Sequence, residues 1–138
     1  MGNYRSTRGS ERKLRGAQAI IQGIAEDKGL YVPEEFPELP CKVEELTGKT
    51  YQEIAKVVIG AFFDDFTDEE MAHCVNSAYD EKFEAKEVAP LVKAGDAHFL
   101  ELYHGKTAAF KDMALSILPY LLTTSLKKEK EDKKICIL

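Results

Sequence analysis

Apolar residues recur at helical spacing through most of the chain before residue 90. Ala17, Ile20, Ile21, Ile24 and Ala25 follow the i, i+3, i+4, i+7, i+8 rhythm that places side chains on one helix face. Gly29 is the expected stop, since a left-handed C-terminal residue is cheapest as glycine. A second helix is predicted from Thr50, which stands three residues before Glu53 in capping-box spacing, with Ile54, Val57, Val58, Ala61 and Phe62 as its apolar face. A third is predicted from Thr67, paired with Glu70, with Phe66 stapled to Met71 and a face of Met71, Cys74, Val75, Ala78 and Tyr79. Between the first two helices, Pro33, Pro37 and Pro40 exclude a long regular element.

The pattern changes near Pro90. AHFLELY (97–103) has the length and composition of a short strand, and Gly105 breaks it. Residues 110–126 are apolar nearly all round, as in a buried helix, with Pro119 expected to kink it or reset its start. A charged turn, KKEKEDKK (127–134), leads to ICIL, read as a second buried strand. Strand, helix and strand in this order predict a right-handed βαβ unit. Two parallel strands are not stable alone, so the unit reads as the opening of a larger domain that this chain does not complete.

The chain has 138 residues, 44% apolar and 31% charged, enough to bury a real core. No apolar run approaches the ~20 residues of a membrane span, and the basic N-terminus has no apolar stretch behind it, so it is not a secretory signal. Cys41, Cys74 and Cys136 are too far apart for a disulfide framework or metal-ligand spacing and point to a reducing, cytoplasmic setting. Charge is uneven: +4 over residues 1–25, −11 over 26–90 and +2 over 91–138. The acidic middle argues against nucleic acid as a partner. His73 and His98 have no partner at ligand spacing, so no metal site is expected. Exposed apolar surface at the cut edge leaves self-association of the fragment open.

The strongest chemical signal is ELYHGKTAAFKD (101–112), where a strand delivers a glycine-containing loop and a helix starts near Lys111. A helix N-terminus and partial burial both favour a neutral amine, the nucleophilic form that Schiff-base chemistry needs. Backbone N–H groups at the same point suit a phosphate. His104, ending the strand, reads mainly as a hydrogen-bonded structural residue, and Asp112 as an acid favoured at a helix start.

HGKTAAFKDMAL (104–115), GIAEDKGLYVP (23–33) and YRSTRG (4–9) together resemble the N-terminal region of threonine synthases, in the family's order and spacing. The resemblance implies an α/β protein. A mostly helical N-terminal domain (1–90) would precede the opening strand-helix-strand of a truncated pyridoxal-phosphate domain of fold type II (91–138), related to the tryptophan synthase β subunit. It implies a lyase of threonine biosynthesis that converts O-phospho-L-homoserine and water to L-threonine and phosphate. Lys111 would be the catalytic residue and would carry pyridoxal 5′-phosphate, and Arg8, with Ser6 and Thr7, would meet the substrate phosphate. Two positions depart from the pattern: Lys106 stands where the family usually has proline, and the DGG turn is DKG, with Lys28 in the middle and Gly29 left to take the left-handed conformation. The fragment alone is expected to be inactive. Two other readings stay open: a non-catalytic helical interaction module, and a related phospholyase acting on another phosphorylated amino acid.

Overall fold

The computed structural model describes residues 3–132 and 134–136. A short strand, β1 (Tyr4–Ser6), pairs antiparallel with β2 (Tyr31–Pro33), with Tyr4 opposite Pro33 and Ser6 opposite Tyr31. Between them lies helix α1 (Gly16–Gln22). It ends earlier than its apolar rhythm predicts, because Gly23 turns the backbone to φ +70°. Ile24 then leaves the helix face and stands 63% exposed, bridging to Leu30. The start of α1 is capped from a distance: the Ala17 amide donates to Asp65 Oδ2 at 2.9 Å.

A 3-10 turn (Val43–Leu46) leads to α2 (Tyr51–Phe62) and α3 (Asp68–Ala78). Both long helices open with the expected reciprocal capping boxes, Thr50 with Glu53 and Thr67 with Glu70. The buried face of α3 is the expected one, Met71, Cys74, Val75 and Ala78, continued by Tyr79. On α2 the face turned to the core is Tyr51, Ala55 and Ile59, and the expected Ile54, Val57, Val58, Ala61 and Phe62 are only half-buried. Nearly the whole surface of α2 is apolar, so periodicity alone does not select which side faces inward.

After Pro90 the structure departs from a βαβ order. Strands β3 (Leu91–Ala94) and β4 (Ala97–Leu100) form an antiparallel hairpin, with Ala94 opposite Ala97 and a two-residue Gly95–Asp96 turn. Gly95 takes φ +61°, as such turns require. The expected strand at 97–103 therefore stops at Leu100 and finds its partner in the preceding residues. The continuous helix expected over 110–126 is two pieces, α4 (Asp112–Leu115) and α5 (Leu118–Glu129), with Pro119 in the first turn of α5 as the proline rule anticipates. Helix α5 also takes in Lys127, Lys128 and Glu129 from the expected charged turn. Of the strand expected at 135–138, Ile135 and Cys136 carry no regular structure, and Ile137 and Leu138 lie outside the described residues.

Helix α5 lies against both α1 and α3. Its residues Ile117 and Leu121 enter one core with Ala55, Met71, Cys74, Val75, Ala78, Tyr79, Phe83 and Val88. Polar ties hold it there: Arg15 to Glu129 at 2.6 Å, Gln18 to Glu129 at 3.0 Å and Lys128 to Glu70 at 2.8 Å.

Candidate functional site

The turn that carries Lys111 begins where β4 runs out. Glu101 accepts from His104 Nε2 at 2.7 Å, and this bond holds its carboxyl below the usual range. The His104 carbonyl accepts the Glu84 amide at 3.0 Å. His104 is thus tied on both sides, in keeping with a structural histidine.

From Gly105 to Asp112 the chain closes on itself. The Thr107 amide donates to Asp112 Oδ2 and the Thr107 hydroxyl to Asp112 Oδ1, each at 2.7 Å. These two bonds, the hydroxyl first, hold the Asp112 carboxyl below its ordinary value. Ala108 is forced to φ +54°, a conformation alanine rarely adopts. Gly105 faces the carboxylate so closely that a Cβ there would lie 2.5 Å from Asp112 Cβ. Asp112 itself is buried.

Lys111, one peptide away, is exposed. The partial burial expected for it is absent among the described residues, and α4 spans only Asp112–Leu115, one turn, too short to carry a substantial macrodipole. Lys111 does line an apolar groove of about 660 Å³ with Tyr51, Leu100, Leu102, Phe110 and Met113. Its backbone carbonyl accepts the amides of Ala114 and Leu115, which roots it in the start of α4.

The second segment is the β1 turn. Ser6 is buried and its hydroxyl donates to Asp27 Oδ1 at 2.7 Å. The same carboxylate accepts the Gly29 amide at 2.9 Å and the Ser10 amide at 3.1 Å, and Ser6 Oγ accepts the Arg8 amide at 3.2 Å. Ser6 and the two amides, the Ser6 bond first, lower the Asp27 pKa. Thr7 Oγ1 accepts the Leu30 amide at 3.0 Å. The hydroxyls of Ser6 and Thr7 are therefore committed to the turn, while Arg8 is exposed beside it. It is Lys28 that takes the left-handed conformation, at φ +65°, and not Gly29. Gly29 is needed for a different reason: a Cβ there would lie 2.1 Å from Ser6 Oγ and 3.1 Å from the Arg8 amide. The groove along this turn, lined by Arg5, Ser6 and Thr7 among others, shares no residue with the groove of Lys111.

The Ser6–Asp27 turn falls within a known sequence pattern. The family profile described as threonine synthase N terminus matches residues 3–79, more than half the chain. The chain belongs to the threonine synthase family. It is 33% identical over 135 residues to threonine synthase of Schizosaccharomyces pombe, covering 95% of this chain and 26% of that one. It is 36% identical over 110 residues to threonine synthase-like 1 of Homo sapiens, covering 76% of this chain and 15% of that one. The crystal structure of PLP-bound threonine synthase from Brucella melitensis superposes with a TM-score of 0.86 at 34% identity, over 95% of this chain and 29% of that chain. The chain thus spans about a quarter of the fission yeast enzyme's length and less of the human relative's.

The acids that organise the two turns, Asp27 and Asp112, have roles that residue spacing does not reveal. An acid at this position is expected to favour a helix dipole, yet the Asp112 carboxylate reaches back five residues to Thr107. Among the described residues no group of His, Cys, Asp and Glu could hold a metal ion, and no helix is long and apolar enough to cross a membrane.

Proposed function

We propose that Lys111 is the cofactor-bearing and catalytic lysine of a threonine synthase, which converts O-phospho-L-homoserine and water to L-threonine and phosphate. The observation that carries this reading is the Lys111 turn. Its amine is accessible, its backbone is fixed, and it opens onto an apolar groove in a chain that overlays a PLP-bound threonine synthase along nearly its whole length. An aldehyde cofactor with a flat aromatic ring suits this setting, since Lys111 offers the amine and Leu100, Leu102, Phe110 and Met113 offer apolar surface. When bound, pyridoxal 5′-phosphate supplies an electron sink for carbanions at the substrate.

The protein's own residues do the rest. Lys111 would hold the cofactor through its amine and, as a free amine, would move protons on the substrate carbons. Loss of phosphate from one carbon and addition of water at its neighbour complete the change. Arg8, held by the Ser6–Asp27 turn, offers a guanidinium to the substrate phosphate. Residues 1–90 serve as the helical part and 91–138 as the opening of the cofactor domain, sharing a core through Ile117 and Leu121.

The test uses a full-length polypeptide that carries these residues. Borohydride reduction of the loaded protein is expected to fix the cofactor on Lys111, read by peptide mass spectrometry, and label on another lysine refutes the assignment. Lys111→Ala is expected to abolish turnover while circular dichroism and the melting of the helices stay as they were. A second reading, a phospholyase acting on another phosphorylated amino acid, draws on the match to threonine synthase-like 1. Identification of the product from O-phosphohomoserine separates the two.

A further inference from the structure

We propose that Asp112 is the positioning residue for Lys111, working through Thr107 to hold the 105–112 turn closed; this rests on the reading of Lys111 given above. The turn contains a conformation that does not hold itself. Ala108 sits at φ +54°, where an L side chain meets its own backbone, and such a residue persists only where its surroundings over-determine it.

What surrounds it is the Asp112 clasp. Both carboxylate oxygens are taken by Thr107, one by its amide and one by its hydroxyl. The Asp112 amide returns to the Ala109 carbonyl at 3.0 Å, and the Ala108 amide reaches the Gly105 carbonyl at 3.1 Å. Gly105 leaves the space that the carboxylate fills. A buried carboxylate with both oxygens taken holds its turn closed, because opening removes both partners at once.

The buried anchor and the exposed amine are neighbours in sequence. Fixing Asp112 fixes the backbone of Lys111, which takes φ −64° and ψ −22° at the entry to α4. The side chain then leaves from a single point on the rim of the apolar groove. Without the clasp Ala108 relaxes, and the origin of the lysine side chain moves with it. Positioning of this kind acts on the rate step more than on substrate binding.

Three substitutions separate this from a general loss of structure. Asp112→Ala removes both bonds, and Thr107→Val removes the hydroxyl bond alone at an exposed residue. Asp112→Asn can restore both, since its oxygen accepts the Thr107 amide and its NH₂ donates to the Thr107 hydroxyl. It can do so only while that hydroxyl is present.

The first measurement is amide hydrogen exchange on the cofactor-free 138-residue chain. Protection of Thr107 is expected to fall about ten-fold in Asp112→Ala, the worth of one hydrogen bond to a charged group. It is expected to be regained in Asp112→Asn, because the asparagine oxygen still accepts the Thr107 amide. The second is made on the loaded full-length protein. The pH at which the lysine-bound cofactor's visible absorbance titrates is expected to shift in Asp112→Ala and Thr107→Val and to return in Asp112→Asn. In the two affected variants kcat falls and KM holds.

Unchanged Thr107 protection in Asp112→Ala overturns the clasp. An opened clasp with unaltered absorbance titration and kcat overturns the positioning role. If Asp112→Ala fails to fold, Thr107→Val decides by the absorbance titration and kcat, and no change in either overturns the positioning role. Cofactor label on a lysine other than Lys111 overturns the reading of Lys111 itself. That failure is distinguishable, because the exchange data are taken without cofactor.

Discussion

Asp27 and Asp112 do the same physical work at two turns: each gathers neutral donors from a nearby segment onto one carboxylate. Asp27 ties the β1 turn to the loop before β2, and its carboxyl is held below the ordinary value chiefly by the Ser6 hydroxyl. The unfolded chain therefore takes up the proton first as pH falls. The stabilisation is complete above the unfolded carboxyl range and disappears as pH drops through the folded value. Asp27→Asn is expected to flatten the acid side of the stability curve, measured as urea midpoints between neutral pH and the carboxylate range. A variant as acid-sensitive as the parent contradicts this. Legibility at this scale was partial. The motif at 101–112 singles out Lys111, and the hydroxyls of Ser6 and Thr7 bond within the turn. Hydroxyl–carboxylate pairs twenty-one residues apart leave no local periodic trace.

At the scale of elements, the capping boxes were legible and the helix faces only partly so. Thr67 Oγ1 accepts the Glu70 amide at 3.2 Å, and Glu70 returns the bond to the Thr67 amide at 2.8 Å. Such a box depends on four consecutive residues, so it can be read directly from them. Thr67→Ala is expected to lower stability by about 1 kcal/mol in equilibrium denaturation, the usual cost of losing an N-cap. Glu70 has a second task, its ion pair with Lys128 of α5, and burial and the Lys128 bond act in opposite senses on its carboxyl. The hairpin β3–β4 was missed because a single run ahead of Gly105 looked complete. Its partner, LVKA, lies just before the Gly95–Asp96 turn and is exposed along its length, so it shows no buried-strand signature.

For the whole molecule, α5 decides the packing. It crosses from the Lys111 region back onto α1 and α3 and delivers Leu121 to the centre of the core. Leu121→Ala is expected to cost about 2–5 kcal/mol, the range for a buried leucine cavity, read from the chemical denaturation midpoint. A loss well below 1 kcal/mol would mean that α5 packs loosely and that the two ends of the chain fold apart. Added pyridoxal phosphate is expected to give the 138-residue chain no stoichiometric, saturable absorbance beyond that of ordinary lysines, because the exposed Lys111 groove holds few groups for the rest of the cofactor. A saturable one-to-one signal would refute this.

Local order along the chain was enough to determine the capped helices, the proline reset at α5 and the three segments that resemble threonine synthases, since each depends on residues a few positions apart. Tertiary structure alone decided which side of α2 is buried, that Asp65 caps α1 and that Ser6 meets Asp27. The physical reason is common to all three. Which neighbour a side chain meets across space is settled by closure of the whole core, and no pattern of spacing along one segment contains that partner.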